Sequence, residues 1–424
     1  MIDIKLFFLI NCFFLKSSLL IKKSKYLFKV RNIIIKSCLV AAVTLPFCSA
    51  IANGKELNRK EGDGGVKNLL IADFYADNNN QITNQKNNYK TGYSRFDLYS
   101  HLKSIDNFTI NSHLKFENIF DDYQVASRDI SATSSSDQTS RNNYFKIKEL
   151  NLKYDFDKYS FTAGKFSANF GTAWRFNEGI WLRDMAHNYL QDEKLGAIIN
   201  AKLGDQKKTG EYNFGFAMFA NNGSNLDNSP TISRDSNYQY NSNLSNKKSP
   251  SSYLASLDIL YDFGDNEKLS YHFSHINLAP NQRFSKINGA KISNQRAWSL
   301  GSNYQYPLLK ELQLDAMVEY TKINGVGGNA NVRDNYLIAN LVNNICQNYN
   351  ITFGYGRHRN VIVSNRNGFN QDFFEVSGGY KFNRTKFFDH LSLQIGYKEI
   401  RTNFKTKLEK WQDYGARLVY SKNF

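Results

Sequence analysis

From about residue 65 onward the chain alternates apolar and polar side chains with a period of two. Leu312, Leu314, Ala316, Val318 and Tyr320 alternate with Gln313, Asp315, Met317, Glu319 and Thr321. Tyr253, Ala255, Leu257, Ile259, Tyr261 and Phe263 share one face of a second segment. Leu391, Leu393, Ile395 and Tyr397 do so in a third, set against Ser392, Gln394, Gly396 and Lys398. Successive side chains of a strand point to opposite faces, so each segment has one apolar and one polar side. Sixteen such segments are predicted, over 66–76, 92–103, 108–120, 143–156, 159–170, 194–204, 211–221, 251–263, 268–278, 294–305, 311–323, 335–345, 349–360, 371–382, 388–401 and 411–424. Most slightly exceed the roughly 9–11 residues that cross a bilayer at a tilt. The phase is ambiguous in 143–156, 159–170 and 335–345, where the alternation admits a bulge or a shifted register.

The connections alternate in length. Short ones fall at 104–107, 157–158, 205–210, 264–267, 306–310, 346–348 and 383–386; long ones at 77–91, 121–142, 171–193, 222–250, 279–293, 324–334, 361–370 and 402–410. Pro230, Pro250, Pro280 and Pro307 all fall in these connections, as expected of a residue that cannot donate to a ladder. A β-sandwich also gives short strands with turn signals. It does not give strict short/long alternation, which marks a transmembrane antiparallel β-barrel with short turns at one rim and long loops at the other. An even strand count puts both termini on the short-turn, periplasmic side.

Composition agrees. The chain has 424 residues, of which 15% are aromatic and only five are proline. The formal charge is +16. Residues 1–52 hold eight Lys/Arg and one Asp, leaving 46 basic against 37 acidic side chains. These cations are dispersed, with no basic stripe or motif for a nucleic-acid partner. The leading segment reads as an export signal. Arg31 and Lys36 flank Ile33–Ile35, an apolar run follows from Cys38 to Phe47, and Ala50-Ile51-Ala52 is a small-x-small cleavage site. The expected division is 1–52 signal peptide, 53–65 a short periplasmic segment and 66–424 barrel. A second apolar stretch within 1–29 suggests a true start at Val30. Cys12, Cys38 and Cys48 would leave with the signal, so Cys346 would have no intrachain disulfide partner.

The third long loop carries the most informative residues. It holds Trp174 and Trp181 with Phe176, Ile180, Leu182 and Met185, and two tryptophans suit a loop folded against a wall that buries them. Around it stand Ala163-Gly164-Lys165-Phe166, Phe170-Gly171, Ala173-Trp174, Gly179-Ile180-Trp181-Leu182-Arg183-Asp184, Tyr189 and Glu193-Lys194-Leu195-Gly196. This stretch, 163–196, resembles a segment of outer-membrane porins of the alphaproteobacterial type. Leu182 and Arg183 replace a Gly and a Thr of that pattern, and His187 and Asn188 replace acidic residues. The resemblance implies a sixteen-strand porin whose third loop folds into the lumen and narrows a passive channel for small hydrophilic solutes. Charged rings at such a constriction set ion preference. Candidate constriction residues are Arg175, Glu178, Arg183 and Asp184. Opposing wall candidates, by inward parity, are Arg95, Lys115, Asp315, Glu319, Glu375 and Arg417. The loop has two basic and four acidic residues in a basic chain, and anion preference is the expectation.

At the long-loop rim several cations share the apolar parity: Lys146 and Lys148 with Leu150, Arg296 with Trp298, Lys322 with Tyr320, Arg357 and Arg359 with Tyr355, and Arg401 with Tyr397. Outward cations at that height suit the phosphates of outer-membrane lipid or lipopolysaccharide. The last strand ends with Tyr414, Ala416, Leu418, Tyr420 and Phe424 in one parity, which resembles the signal that hands such barrels to their assembly machinery; Lys422 departs from it. Porins of this layout are often trimers, so a homotrimer is expected by analogy. No nucleotide-binding glycine pattern appears, no cofactor is implied, and His272 and His275, three apart on a strand, face opposite sides and make a poor metal pair. An enzyme is not expected. The alternative is a barrel that acts as an adhesin, presenting the polar loops 121–142 and 222–250.

Overall fold

The computed structural model describes residues 66–81, 88–103, 107–120, 142–220, 251–280, 286–287, 290–346, 348–363, 367–382 and 390–423. The leading segment, the loops 121–141 and 221–250 and Phe424 lie outside them, and with them the export-signal and adhesin-loop expectations.

Sixteen strands form one closed ring among the described residues. They are β1 Val66–Gln81, β2 Asn88–Lys103, β3 Phe108–Phe120, β4 Asn142–Phe156, β5 Tyr159–Ala168, β6 Gln191–Asp205, β7 Gly210–Ala220 and β8 Ser252–Gly264, followed by β9 Glu267–Leu278, β10 Gln295–Leu309, β11 Leu312–Asn324, β12 Val332–Ile345, β13 Tyr349–Ile362, β14 Asn367–Lys381, β15 Leu391–Phe404 and β16 Leu408–Asn423. Each pairs antiparallel with the next, and β16 returns to β1 with Tyr420 opposite Ala72 and Arg417 opposite Tyr75. Closure leaves no strand edge unpaired, which a wall in lipid requires because hydrocarbon offers no hydrogen bonds. A two-residue hairpin, Lys286–Ile287 with Ala290–Lys291, stands apart in the loop after β9.

All sixteen predicted strands are present, several of them longer than expected. β1 and β2 extend to Gln81 and from Asn88, and β15 and β16 leave only 405–407 between them. Pro307 lies inside β10 rather than in a turn. The ladder shifts register between Pro307 and Leu309, and a bulge near a strand end tolerates a residue without a donor. The short turn after β8 has the tight-hairpin geometry, with φ of 47° at Asp265 and 68° at Asn266.

The two faces of the wall differ as the period-two pattern requires. Outside, Ile199, Phe216, Val318, Phe353, Val376 and Ile395 are exposed. Aromatic pairs belt this face at both ends. Toward the short turns Phe108 meets Tyr154 (4.5 Å between centroids), Tyr261 stacks on Phe263 (6.0 Å) and Tyr349 meets Tyr380 (4.9 Å). Toward the long loops Trp298 meets Tyr320 (5.7 Å), Tyr355 meets Phe374 (5.2 Å) and Tyr397 meets Tyr414 (5.1 Å). An apolar band between aromatic girdles is the surface of a barrel in lipid. The apolar core lies inside the ring, where the loop between β5 and β6 packs on the inner wall.

Candidate functional site

Two short helices shape that loop: α1, Ala173–Phe176, and α2, Leu182–His187. Four and six residues are too few to hold a helix alone. Packing supplies part of the support. Phe170, Ala173, Ile180, Trp181, Leu182, Met185, Ala186 and Tyr189 are buried against wall residues that include Ala297, Met317, Ile323, Tyr336, Ile338 and Phe373. The loop lies close because the wall is glycine there. A Cβ on Gly356 would stand 2.5 Å from Met185 Sδ, and one on Gly354 would stand 3.0 Å from Leu182 Cδ2.

Two buried carboxylates supply the rest. Glu319 of β11, 1% exposed, accepts from the backbone N–H of Thr172, from Thr172 Oγ1 (3.0 Å), from the N–H of Ala173 (3.1 Å) and from the Tyr189 hydroxyl. Glu375 of β14, 2% exposed, accepts from the N–H groups of Ile180 (2.5 Å), Trp181 (3.0 Å) and Leu182 (2.8 Å). Each carboxylate therefore meets donors that the start of a helix leaves without intrahelical partners, where the partial charge also favours an anion. Burial, and then the adjoining Glu319 carboxylate, push the Tyr189 phenol well above its usual range. By parity Glu319 and Glu375 were expected to line the channel as wall charges. They do face inward, but the loop covers them, and they hold the loop instead of facing solute.

The four loop candidates do not act together. Asp184 is exposed although the barrel surrounds it, with Arg183 beside it and Arg95, Lys398 and Arg417 of β2, β15 and β16 around it. The enclosing wall raises its pKa, an effect those four cations oppose. Arg183 also lies over the Trp174 ring at 6.0 Å, and Lys398 over Trp181 at 5.1 Å. Glu178 is placed elsewhere, near Lys381 and Asp315. Burial raises its pKa, Lys381 opposes the rise and Asp315 adds to it. Asn344 and Gln313 donate to Asp315 at 2.7 and 2.8 Å. Arg175 turns a third way, donating to Asn169 at 2.6 Å.

The cations of the wall are compensated. Asp73 of β1, fully buried, receives Arg95 at 2.9 Å and Arg417 at 2.9 and 3.0 Å. Arg417 also donates to the carbonyl of Gly179 at 3.4 Å, so the closing seam grips the loop between its helices. Asp97 pairs with Arg95 at 2.8 Å and with His113 at 2.7 Å, and Lys398 pairs with Asp413 at 2.7 Å. Lys115 lies on the same inner wall, its backbone opposite Asp97 and Lys146.

Lys146 and Lys148 do not sit on the lipid side. The β3–β4 ladder sets Glu149 opposite His113 and Ile147 opposite Leu114, leaving Lys148 as an extra residue. That bulge inverts the parity beyond it. Lys146 then reaches Glu193 and Lys148 reaches Asp192, both at 2.5 Å, while the buried Lys165 stands 3.2 Å from Glu193. Beside them the enclosing barrel, with Lys148 adding to its effect, lowers the imidazole of the exposed His187 to about 4. Arg296, Arg357, Arg359 and Arg401 are exposed on the outer face and Lys322 is half-buried there. Arg401 pairs with Glu399 at 2.5 Å, and Arg357 is 3.7 Å from Asp372.

One inner-wall constellation has no counterpart in the sequence reading. His272 Nδ1 donates to Asp258 at 2.6 Å, Ser274 Oγ donates to His272 Nε2 at 3.0 Å, and Ser274 Oγ accepts from the N–H of Gly171 at 3.3 Å. The order resembles a nucleophile relay. Ser274 is fully buried and its oxygen is engaged by Gly171, so the chain of bonds ties the loop's first residues to the wall. The signal in sequence was the i, i+2 spacing of His272 and Ser274.

Solved structures share this architecture. OprB of Pseudomonas putida is 12% identical, with 84% of this chain and 94% of that chain covered and a TM-score of 0.56. The outer membrane channel DcaP of Acinetobacter baumannii is 13% identical, with 86% and 99% covered and a TM-score of 0.52. OmpF of Salmonella typhi, solved with daunomycin, is 12% identical, with 84% and 97% covered and a TM-score of 0.50. These neighbours are outer-membrane porins of Gram-negative bacteria, and at such identities the likeness is one of fold. No family model and no characterised protein sequence matches the chain.

Proposed function

We propose that the protein is an outer-membrane porin, a water-filled channel for passive diffusion of small hydrophilic solutes and ions, with the β5–β6 loop as its constriction. The observation that carries this reading is Asp184. It is exposed to solvent on a loop that packs within the barrel, facing cations of β2, β15 and β16. A loop packed flush on the wall along its whole length would bury that carboxylate. Sixteen strands enclose enough cross-section for an aqueous channel. Arg95, Lys115, Arg183, Lys398 and Arg417 stand nearest the lumen, with Asp73, Asp97 and Asp413 buried behind three of them, and Asp184 and the Glu178–Asp315 pair are the negative groups of the loop region; because the paired carboxylates cancel much of the positive charge, the anion preference is weak.

The rest of the assignment follows from that reading. The outer face lies in outer-membrane lipid, with both termini periplasmic. Arg296, Lys322, Arg357, Arg359 and Arg401 meet lipid or lipopolysaccharide phosphates at the long-loop rim. The last strand is recognised by the assembly machinery, and three copies associate. The test is planar-bilayer conductance of the refolded barrel, with reversal potential in a salt gradient. Open channels with weak anion preference are expected, and deleting 175–188 should raise conductance. A correctly folded barrel that conducts nothing would remove the proposal.

A further inference from the structure

Between α1 and the inner wall of β7–β10, on the short-turn side of the loop, lies a cavity of 230 Å³. Asn213, Asp258, Ser270, His272 and Asn303 line it from the wall, and Arg175 and Phe176 line it from the loop. At about 30 Å³ per water, it has room for a molecule of roughly six to eight non-hydrogen atoms. Its charges are opposite and held at a fixed spacing. Arg175 Nη2 donates to Asn169 Oδ1 at 2.6 Å, and Asn169 Nδ2 donates to Asp258 Oδ2 at 2.8 Å. One carboxamide thus stands between guanidinium and carboxylate, its oxygen toward the cation and its nitrogen toward the anion.

We propose that this cavity is a subsite for a small zwitterion, an α-amino acid whose carboxylate meets Arg175 and whose ammonium meets Asp258. This rests on the channel reading for how solute arrives, and goes beyond it in naming what pauses there. An α-amino acid carries its acceptor and donor ends one bond further apart than a carboxamide does, so it can span the same pair of charges that Asn169 bridges with slightly more reach. Capacity remains for it. A guanidinium has five N–H donors and a carboxylate about four acceptor sites, while Asp258 is engaged by His272 and Asn169. Asn213, Ser270 and Asn303 offer further polar contacts, and Phe176 with Leu260 gives a short aliphatic side chain an apolar edge. A simple anion would satisfy only Arg175 and a simple cation only Asp258. A neutral polyol of the same size would use the hydroxyl and amide groups and leave the charge spacing without purpose.

The test is calorimetric titration of the folded barrel in detergent with L-alanine, propionate, ethylamine and glycerol, a neutral polyol of alanine's size. Saturable alanine binding is expected, with propionate and ethylamine each about tenfold weaker or worse, the loss that follows one missing charge-assisted hydrogen bond. Arg175→Gln should weaken alanine by a similar factor. Asp258→Asn should do the same, but it also disturbs the His272 anchor, so the Arg175 variant is the cleaner reading. Propionate or glycerol binding as tightly as alanine would overturn the proposal. So would unchanged affinity in Arg175→Gln, or no heat from alanine up to about 0.1 M, an affinity too weak to count as a site. Bilayer conductance of the same preparation separates the two readings. A conducting channel that ignores alanine loses the subsite alone, and a barrel that binds alanine without conducting loses the channel reading alone.

Discussion

Removing the Glu375 carboxylate should release the tip of the constriction loop while leaving the barrel closed. Three backbone N–H groups converge on it, from Ile180, Trp181 and Leu182. Hydrogen bonds to a charged group contribute about 1.5–3 kcal/mol each, and the donors left behind need new partners. Three such bonds at the low end come to about 4.5 kcal/mol, and water entering the space the carboxylate leaves takes up some of the freed donors, so Glu375→Ala should cost about 3 kcal/mol of loop docking. That is roughly a hundredfold in the docked-to-open ratio at about 1.4 kcal/mol per factor of ten. The ladder bonds of β14 are backbone bonds and survive. Limited trypsin digestion reads the effect directly, because Arg183 lies in α2, which docking holds folded. Cleavage after Arg183 should accelerate, single-channel conductance should rise and fluctuate, and the thermal midpoint of the barrel should barely move. Glu375→Gln, which keeps one acceptor oxygen, should fall between. If Glu375→Ala matches the wild type in both cleavage after Arg183 and conductance, the carboxylate does not anchor the loop and the reasoning fails.

Gly179 has φ of 108°, and a Cβ there would stand 2.5 Å from Glu375 Oε1; Gly179→Ala should therefore mimic Glu375→Ala in the trypsin assay, with a left-handed penalty of about 1–2 kcal/mol added. Asp73→Asn removes the buried partner of Arg95 and Arg417 and should lower barrel stability by about 3 kcal/mol in urea titration, the cost of stranding one side of a buried pair. The pKa values of Asp184 and Glu178 are both raised, so as pH falls from 7 toward 5 they take up protons before ordinary carboxylates do. The lumen loses negative charge and its reversal potential should move toward anions, less so in Asp184→Asn. His187, held near 4 against an ordinary 6.5, should give no step between pH 7 and 5; a step near 6.5 that His187→Gln removes would contradict its placement. In a Cys346→Ser background, Arg296→Cys should be quenched from the lipid phase and Lys148→Cys reached only by water-borne reagents; the reverse would refute the bulge at Lys148.

The barrel was legible because its strands repeat one rule, and the loop was not because it obeys several. Alternation alone places sixteen segments, and it assigns Arg95, Asp315, Glu319, Glu375 and Arg417 to the inner face. It fails where one extra residue inverts it. Nothing in Lys146-Ile147-Lys148 distinguishes a regular strand from a bulged one, since the alternation survives the insertion on paper. The hairpin after β8 shows the same limit. A tight turn at Asp265–Asn266 carried through without a bulge would set Asp258 opposite Phe273. The extra residue between Asp262 and Gly264 moves the register by one and sets Asp258 opposite His272. The anchoring role of Glu319 and Glu375 was hidden for another reason. It depends on backbone N–H groups of the loop, which carry no residue identity, so the sequence shows two inward acids and not what they receive.

The anchors also have an order in the chain that bears on assembly. The loop leaves β5, yet its partners are Ser274 of β9, Glu319 of β11, Glu375 of β14 and Arg417 of β16. Arg417 lies 238 residues beyond the Gly179 carbonyl it holds. Strand pairing between neighbours is local and can proceed hairpin by hairpin, whereas these contacts span the ring and cannot form until the later strands are in place. The Arg417–Asp73 pair closes the wall and the Arg417–Gly179 bond seats the loop, so one side chain reports on both events. Loop docking should therefore follow closure and never precede it. Resistance to trypsin at Arg183, followed during refolding into detergent, should appear no earlier than the heat-resistant barrel does. Protection that arrived first would mean the loop docks on an incomplete wall, which the positions of Glu375 and Arg417 rule out.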